Sequence, residues 1–166
     1  MMSDTTITLP DRMLTFGLGG EFFAIDAQCV REILEVPPIT RVPGAPAFAD
    51  GLLNVRGAIV PLADLAVVFG MAHTAHDQDS RVIVIEAEIE GDAATIGIVA
   101  DKVHDVATMD GVPIDAPPPV GMKWRPEFIR GIAHHAGRFV ILPDLARIFT
   151  DCVGQIHRNG AAILPS

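Results

Sequence analysis

Cations are scarce in this sequence. Its 166 residues hold 12 Lys and Arg against 21 Asp and Glu, a formal net charge of −9. The cations stand singly along the chain, whereas affinity for phosphate backbones needs them clustered. A nucleic-acid partner is therefore not expected. Uninterrupted apolar runs fall well short of the ~20 residues that span a bilayer, and Met1 to Arg12 lacks both the cationic start and the apolar stretch of a signal peptide. The expected location is the cytosol, with no insertion into a membrane. Only two cysteines occur, Cys29 and Cys152, far apart and without CxxC spacing, so they read as free thiols in a reducing compartment. Disorder is excluded too, because 49% of the residues are hydrophobic and 20% are charged.

Motifs for chemistry are equally sparse. Gly17, Gly19 and Gly20 do not make a GxGxxG turn, and no GxxxxGK[ST] loop occurs. His73 and His76 have HxxH spacing without an adjoining glutamate, so a metal site there is not expected. His134 and His135 are consecutive on a strand-like segment, and consecutive strand residues face opposite ways, which disfavours joint chelation or a hydrolytic pair. Glu86, Glu88, Glu90 and Asp92 alternate with apolar residues as one exposed strand face does, rather than forming a catalytic carboxylate pair. No catalytic residue, metal or cofactor is expected.

What the sequence does hold is punctuation. Fifteen glycines and thirteen prolines divide it into segments of strand length, so the fold is expected to be mainly β. Met13 to Leu18 and Phe22 to Ile25 flank Gly19-Gly20 as a hairpin, and Gly51 to Val55 and Ala58 to Pro61 flank Arg56-Gly57 as another. Asp26 and Asp64 stand where N-caps would open short helical turns, the second over Leu65 to Phe69. After a polar linker from Ala72 to Ser80 the pattern returns, with strands at Arg81 to Ile85 and Thr95 to Val99 and a capped turn at Asp101. Gly111 to Pro126, with three consecutive prolines, reads as a long loop.

The recurrence is internal duplication. At an offset of 80, Gly51, Gly57, Val60, Leu62, Asp64, Leu65, Ala66 and Phe69 fall on Gly131, Gly137, Val140, Leu142, Asp144, Leu145, Ala146 and Phe149. Upstream, Val30-Arg31-Glu32-Ile33 answers to Val103-His104-Asp105-Val106 at an offset of 73, with Phe23 and Ile25 answering to Ile96 and Ile98. Two small β units, roughly 12–70 and 81–150, would then cover each other's open faces, with strand exchange possible and with 1–11 and 151–166 as tails. Val30 to Val36 and Ile59 to Val67 also carry more apolar side chains than one thin barrel buries, which suggests partners.

The order Val30-x-Glu32-Ile33, Thr40-Arg41-Val42-Pro43, Pro46-Ala47-Phe48, Gly51-x-x-Asn54-Val55-Arg56-Gly57-x-Ile59-Val60-Pro61-x-x-Asp64-Leu65 and Gly97-Ile98-Val99-x-Asp101-x-Val103 resembles the CheW family of chemotaxis coupling proteins. The resemblance spans about residues 12–150. It implies two packed five-stranded SH3-like β-barrel subdomains with short helices, and no catalysis. It further implies an adaptor that joins the cytoplasmic tips of chemoreceptors to the regulatory domain of the histidine kinase CheA. On it, Glu32 and Arg56 match the acid and arginine of receptor coupling, while Val30, Ile33, Val82, Val99 and Val103 are expected along an apolar groove for a receptor helix. Leu52, Ile59 and the loop around Val120 are the expected kinase-binding positions. The second copy has Ala136 in place of Arg56, so only the first copy is expected to act through an arginine. A coupling protein of a non-flagellar chemosensory pathway, or a barrel that binds a small ligand, fits the same residues.

Overall fold

The computed structural model describes residues 10–44, 48–71, 76–89, 91–109, 111–116 and 126–158, apart from the side chains of residues 50 and 152–158. Strands β1 (Arg12–Leu18) and β2 (Glu21–Asp26) are joined by Gly19 and Gly20 at φ of 61° and 83°. Two successive positive φ angles twist the turn in the sense the strands require. A 3₁₀ turn over Ala27–Cys29 follows, capped by the Asp26 carboxylate, which accepts from the Gln28 N–H at 2.9 Å. Then come β3 (Val30–Glu35), the hairpin β4 (Ala49–Val55) and β5 (Ala58–Ala63), and helix α1 (Leu65–Val68), capped by Asp64 through the Ala66 N–H. The rest is β6 (Arg81–Ile89), β7 (Asp92–Ala100), β8 (Lys102–Thr108), the two-residue β9 (Ile114–Asp115), the hairpin β10 (Ile129–His135) and β11 (Arg138–Pro143), and helix α2 (Leu145–Arg158).

The chain is mainly β, as the sequence pattern indicates. Three expectations need correction. The stretch from Gly111 to Pro126, expected as a loop, contains the strand β9, while residues 117–125 lie outside the described residues. Asp101 does not cap a turn: its carboxylate accepts from the Gly19 N–H at 2.9 Å, and the chain runs straight on into β8. That strand lacks clean alternation because it lies at a sheet edge, with Lys102, His104 and Asp105 exposed and a register shift opposite Thr15. Residues 151–158, expected in a tail, continue α2.

The strands form two sheets, in the orders β8-β1-β2-β11-β10-β9 and β3-β6-β7-β5-β4. Each sheet builds one subdomain, and the first has six strands where five were expected because the two-residue β9 pairs with the edge of β10. The sheets do not follow the two halves of the chain. Following the β1–β2 hairpin, β3 crosses over to pair with β6, while β8, following the β6–β7 hairpin, crosses back to pair with β1. The second subdomain is thus drawn from 30–100 and the first from the stretches on either side of it. The duplication survives this exchange: Leu14 faces Val106 as Ile83 faces Ile33, and β11 lies parallel to β2 as β5 lies parallel to β7.

Three apolar clusters follow from the layering. Phe16, Phe23, Phe69, Ile83, Ile85, Ile98 and Ile148 fill the space between the sheets, with Phe23 stacked on Phe16 at 5.7 Å and against Phe69 at 5.4 Å. Met13, Ala24, Met109 and Leu142 fill the first subdomain, and Leu53, Val60, Leu62, Val82, Val84 and Val99 fill the second. Strands β1, β6 and β7 bury both faces, which is why their sequences read as apolar runs.

Candidate partner-binding surfaces

Arg56 occupies the first corner of the β4–β5 turn at φ 52°, followed by Gly57 at 84°. The Asn54 side-chain oxygen accepts from the Gly57 N–H at 2.9 Å and fixes the turn. Across the gap between the two sheet edges, β3 brings up Glu32. Arg56 Nη1 donates to Glu32 Oε2 at 3.2 Å, and Nη2 lies 3.1 Å from Oε1, a fork-to-fork ion pair. The arginine side chain is 81% exposed and the glutamate 21%, so the carboxylate anchors a guanidinium whose remaining donors face solvent. An open groove lies between this hairpin and β3, floored by Leu34 and Val55, with Ile33 beside it at 41% exposure.

Other expected groove residues lie elsewhere. Val30 and Val103 are half-buried against the cluster between the sheets. Val82 and Val99, at 0% and 5% exposure, are cross-strand partners inside the second subdomain. They support the groove from behind and offer a partner no surface, because both faces of β6 and β7 are covered. Leu52 is half-buried, while Ile59 is 65% exposed on the same hairpin as Arg56. Val120 lies outside the described residues.

Two exposed apolar side chains escaped the sequence reading, Val106 at 51% and Phe139 at 64%. They are the counterparts of Ile33 and Ile59 at the offsets of 73 and 80, so the signal lay in the duplication itself. The second copy nevertheless differs chemically. Ala136 repeats the left-handed φ of 52° without a charge, and Asp105, counterpart of Glu32, accepts instead from the Thr15 hydroxyl at 3.1 Å.

The remaining polar clusters are structural in form. His134 Nε2 lies 2.7 Å from Asp115 Oδ2 and its ring meets the Phe139 ring edge-on at 4.8 Å, tying β9 to the second hairpin. His135 points the other way along β10, half-buried. Glu86 pairs with Arg31 at 2.7 Å. Among the described residues no group of three or more His, Cys, Asp or Glu could hold a metal ion. His73 and Glu90 lie outside the described residues.

Cys29 donates its thiol to the Asp26 carbonyl at 3.0 Å. Burial, aided by the Asp26 charge, pushes its pKa up from 9.0 to about 11. Because the folded chain holds this proton more tightly, the thiol's contribution to stability is complete below about pH 9 and is lost as the pH rises towards 11. In a Cys152→Ser variant, Cys29 is therefore expected to react with a thiol reagent near neutral pH far more slowly than after denaturation. Equal rates in the folded and denatured chain would refute the half-buried, hydrogen-bonded placement of the thiol.

A protein-family model described as CheW-like domain matches residues 12–153. The chain belongs to the CheW-like family. It is 30% identical over 137 residues to the Chemotaxis protein CheW of Rhizobium meliloti, covering 82% of this chain and 86% of that protein. With the Chemotaxis protein CheW of Klebsiella aerogenes the identity is 32% over 143 residues, covering 86% and 84%. A solved structure of the scaffolding protein TtCheW from Thermoanaerobacter tengcongensis superposes with a TM-score of 0.74 at 31% identity, covering 90% of this chain and 94% of that one. Protein PilI of Pseudomonas aeruginosa is 32% identical over 123 residues, covering 72% and 65%. Membership makes this CheW-like chain a chemotaxis coupling adaptor, a non-enzymatic scaffold acting between chemoreceptors and the kinase CheA. Among its described residues no helix is long and apolar enough to cross a membrane.

Proposed function

We propose that the adaptor holds its two partners on adjoining surfaces that share the β4–β5 hairpin. The groove beside Glu32, Ile33 and Arg56 takes a helix from the cytoplasmic tip of a chemoreceptor. Leu52 and Ile59, with the residues around Val120, take the regulatory domain of CheA. The observation that carries the reading is the Glu32–Arg56 pair, which is too exposed to matter much for folding yet is held by two contacts. A helix presents apolar residues at i, i+3 and i+4, and the strip of Ile33, Leu34 and Val55 suits such a stripe. Signal passes if receptor states differ in affinity for the scaffold. The chain works in the cytoplasm and is recruited to membrane-associated receptor arrays. The similarity to Protein PilI favours a second output, coupling in a chemosensory-type pathway that is not flagellar.

The test is Arg56→Glu. The change sets two carboxylates face to face at an exposed turn, so thermal stability should stay within ~1 kcal/mol of the wild type. Retention of a receptor cytoplasmic fragment in size-exclusion chromatography should be lost, while the CheA regulatory domain should still co-elute. Receptor binding at wild-type strength would sink the assignment of this groove.

A further inference from the structure

Two cations line the groove, and only Arg56 has a carboxylate partner there. The other is Arg81, at the start of β6, where it is the cross-strand partner of Glu35. The two do not form an ion pair. Instead, Arg81 Nη1 donates to the backbone carbonyls of Gln78 and Ser80, each at 2.8 Å. These contacts hold the guanidinium in place and spend only one of its nitrogens. Its Nη2 and Nε have no hydrogen-bond partner among the described residues, and Glu35 likewise holds no cation there. A half-buried guanidinium fixed by its own backbone, in a chain of net charge −9, is pre-positioned for a carboxylate from outside.

We propose that Arg81 is a second, specificity-determining cation of the groove, binding a carboxylate on the same partner helix that meets Arg56. The inference rests on the receptor-groove reading above. Arg56 and Arg81 line the same groove as Ile33, Leu34 and Val55, so the partner helix carries at least two acidic side chains beside its apolar stripe. Because Glu35 offsets the charge at the Arg81 end, selection there works through the fork geometry of the guanidinium more than through net charge.

The test titrates a chemoreceptor cytoplasmic fragment against the full chain and its Arg81→Glu, Arg81→Gln and Arg56→Glu variants, with the CheA regulatory domain as a second ligand. Arg81→Glu should weaken receptor binding about tenfold, the loss of one charge-assisted contact, and leave kinase binding unchanged. Arg81→Gln should also make receptor affinity less sensitive to salt, which a purely structural role would not do. Receptor binding by Arg81→Glu within about twofold of the wild type, with Arg56→Glu impaired, would overturn the inference and leave the groove standing. If both variants bound normally, the groove would fall with it. An equal loss of kinase affinity in Arg81→Glu would show Arg81 to be structural and would also overturn the inference.

Discussion

Val99→Asp is expected to unfold the second subdomain and to abolish binding of both partners together. Val99 faces Val82 across β6 and β7, and both lie among Leu53, Val60, Leu62 and Val84. No basic group belongs to that cluster, so a new carboxylate would be buried without a partner, a cost of at least ~3 kcal/mol. Set against the roughly 5–15 kcal/mol that holds a typical domain together, this is a large share. Thermal unfolding followed by circular dichroism should show a strongly lowered midpoint, and kinase and receptor affinities should fall in parallel. A variant that melted like the wild type and lost only the receptor would place Val99 on the groove surface, against its 5% exposure.

That contrast shows where sequence reasoning ran out. Val82 and Val99 carry the same apolar character as Ile33, and in strands apolar on both faces the alternation that separates core from surface is absent. Only the layering decides, and it sends Val82 into the second subdomain and Ile83 into the space between the sheets. The local features were legible because their chemistry is local. Gly19-Gly20 and Arg56-Gly57 take the positive φ angles a two-residue hairpin needs, and Asp26 and Asp64 cap the turns that follow them. Glu32 and Arg56 could be paired on the strength of a motif. Arg81 could not, since its position is set by two backbone carbonyls of the preceding turn, which no side-chain pattern records.

The exchange of β3 and β8 is the least legible feature and bears directly on function. Pairing between strands distant in sequence depends on which sheet has an open edge, and an identical repeat would leave that choice undetermined. In the folded chain, β3 carries Glu32 and Ile33 into a subdomain whose β4–β5 hairpin supplies Arg56, so the groove is assembled within the stretch 30–100. Its counterpart strand β8 meets a hairpin with Ala136 in place of the arginine. Duplication thus supplied two similar scaffolds, and the substitutions at the second turn left the charged groove on one of them.

Gly51→Val is expected to open the second subdomain at the edge of β4. Gly51 has φ of 154°, and a Cβ placed on it would come 2.5 Å from Ile39 Cγ2 and 2.6 Å from the Thr40 carbonyl oxygen. The second contact is with backbone and cannot be relieved by a rotamer change. Thr40 and Leu52 are joined by two hydrogen bonds, from the Thr40 N–H to the Leu52 oxygen at 2.9 Å and from the Leu52 N–H to the Thr40 oxygen at 2.8 Å. Inserting valine must push the Ile39–Thr40 segment off the edge of β4, break this bridge and pull Ile39 away from the second subdomain's interior. The combined strain, lost burial and lost hydrogen bonds should amount to several kcal/mol, about 3 or more. Amide exchange at Thr40 and Leu52 should accelerate well before that of β1 and β2, because the damage begins at the second sheet's edge. Gly57→Val, at a turn where a Cβ would meet nothing within 4 Å, should cost much less despite its φ of 84°. If the two variants melted alike, close packing at Gly51 would have to be given up as the reason for glycine there.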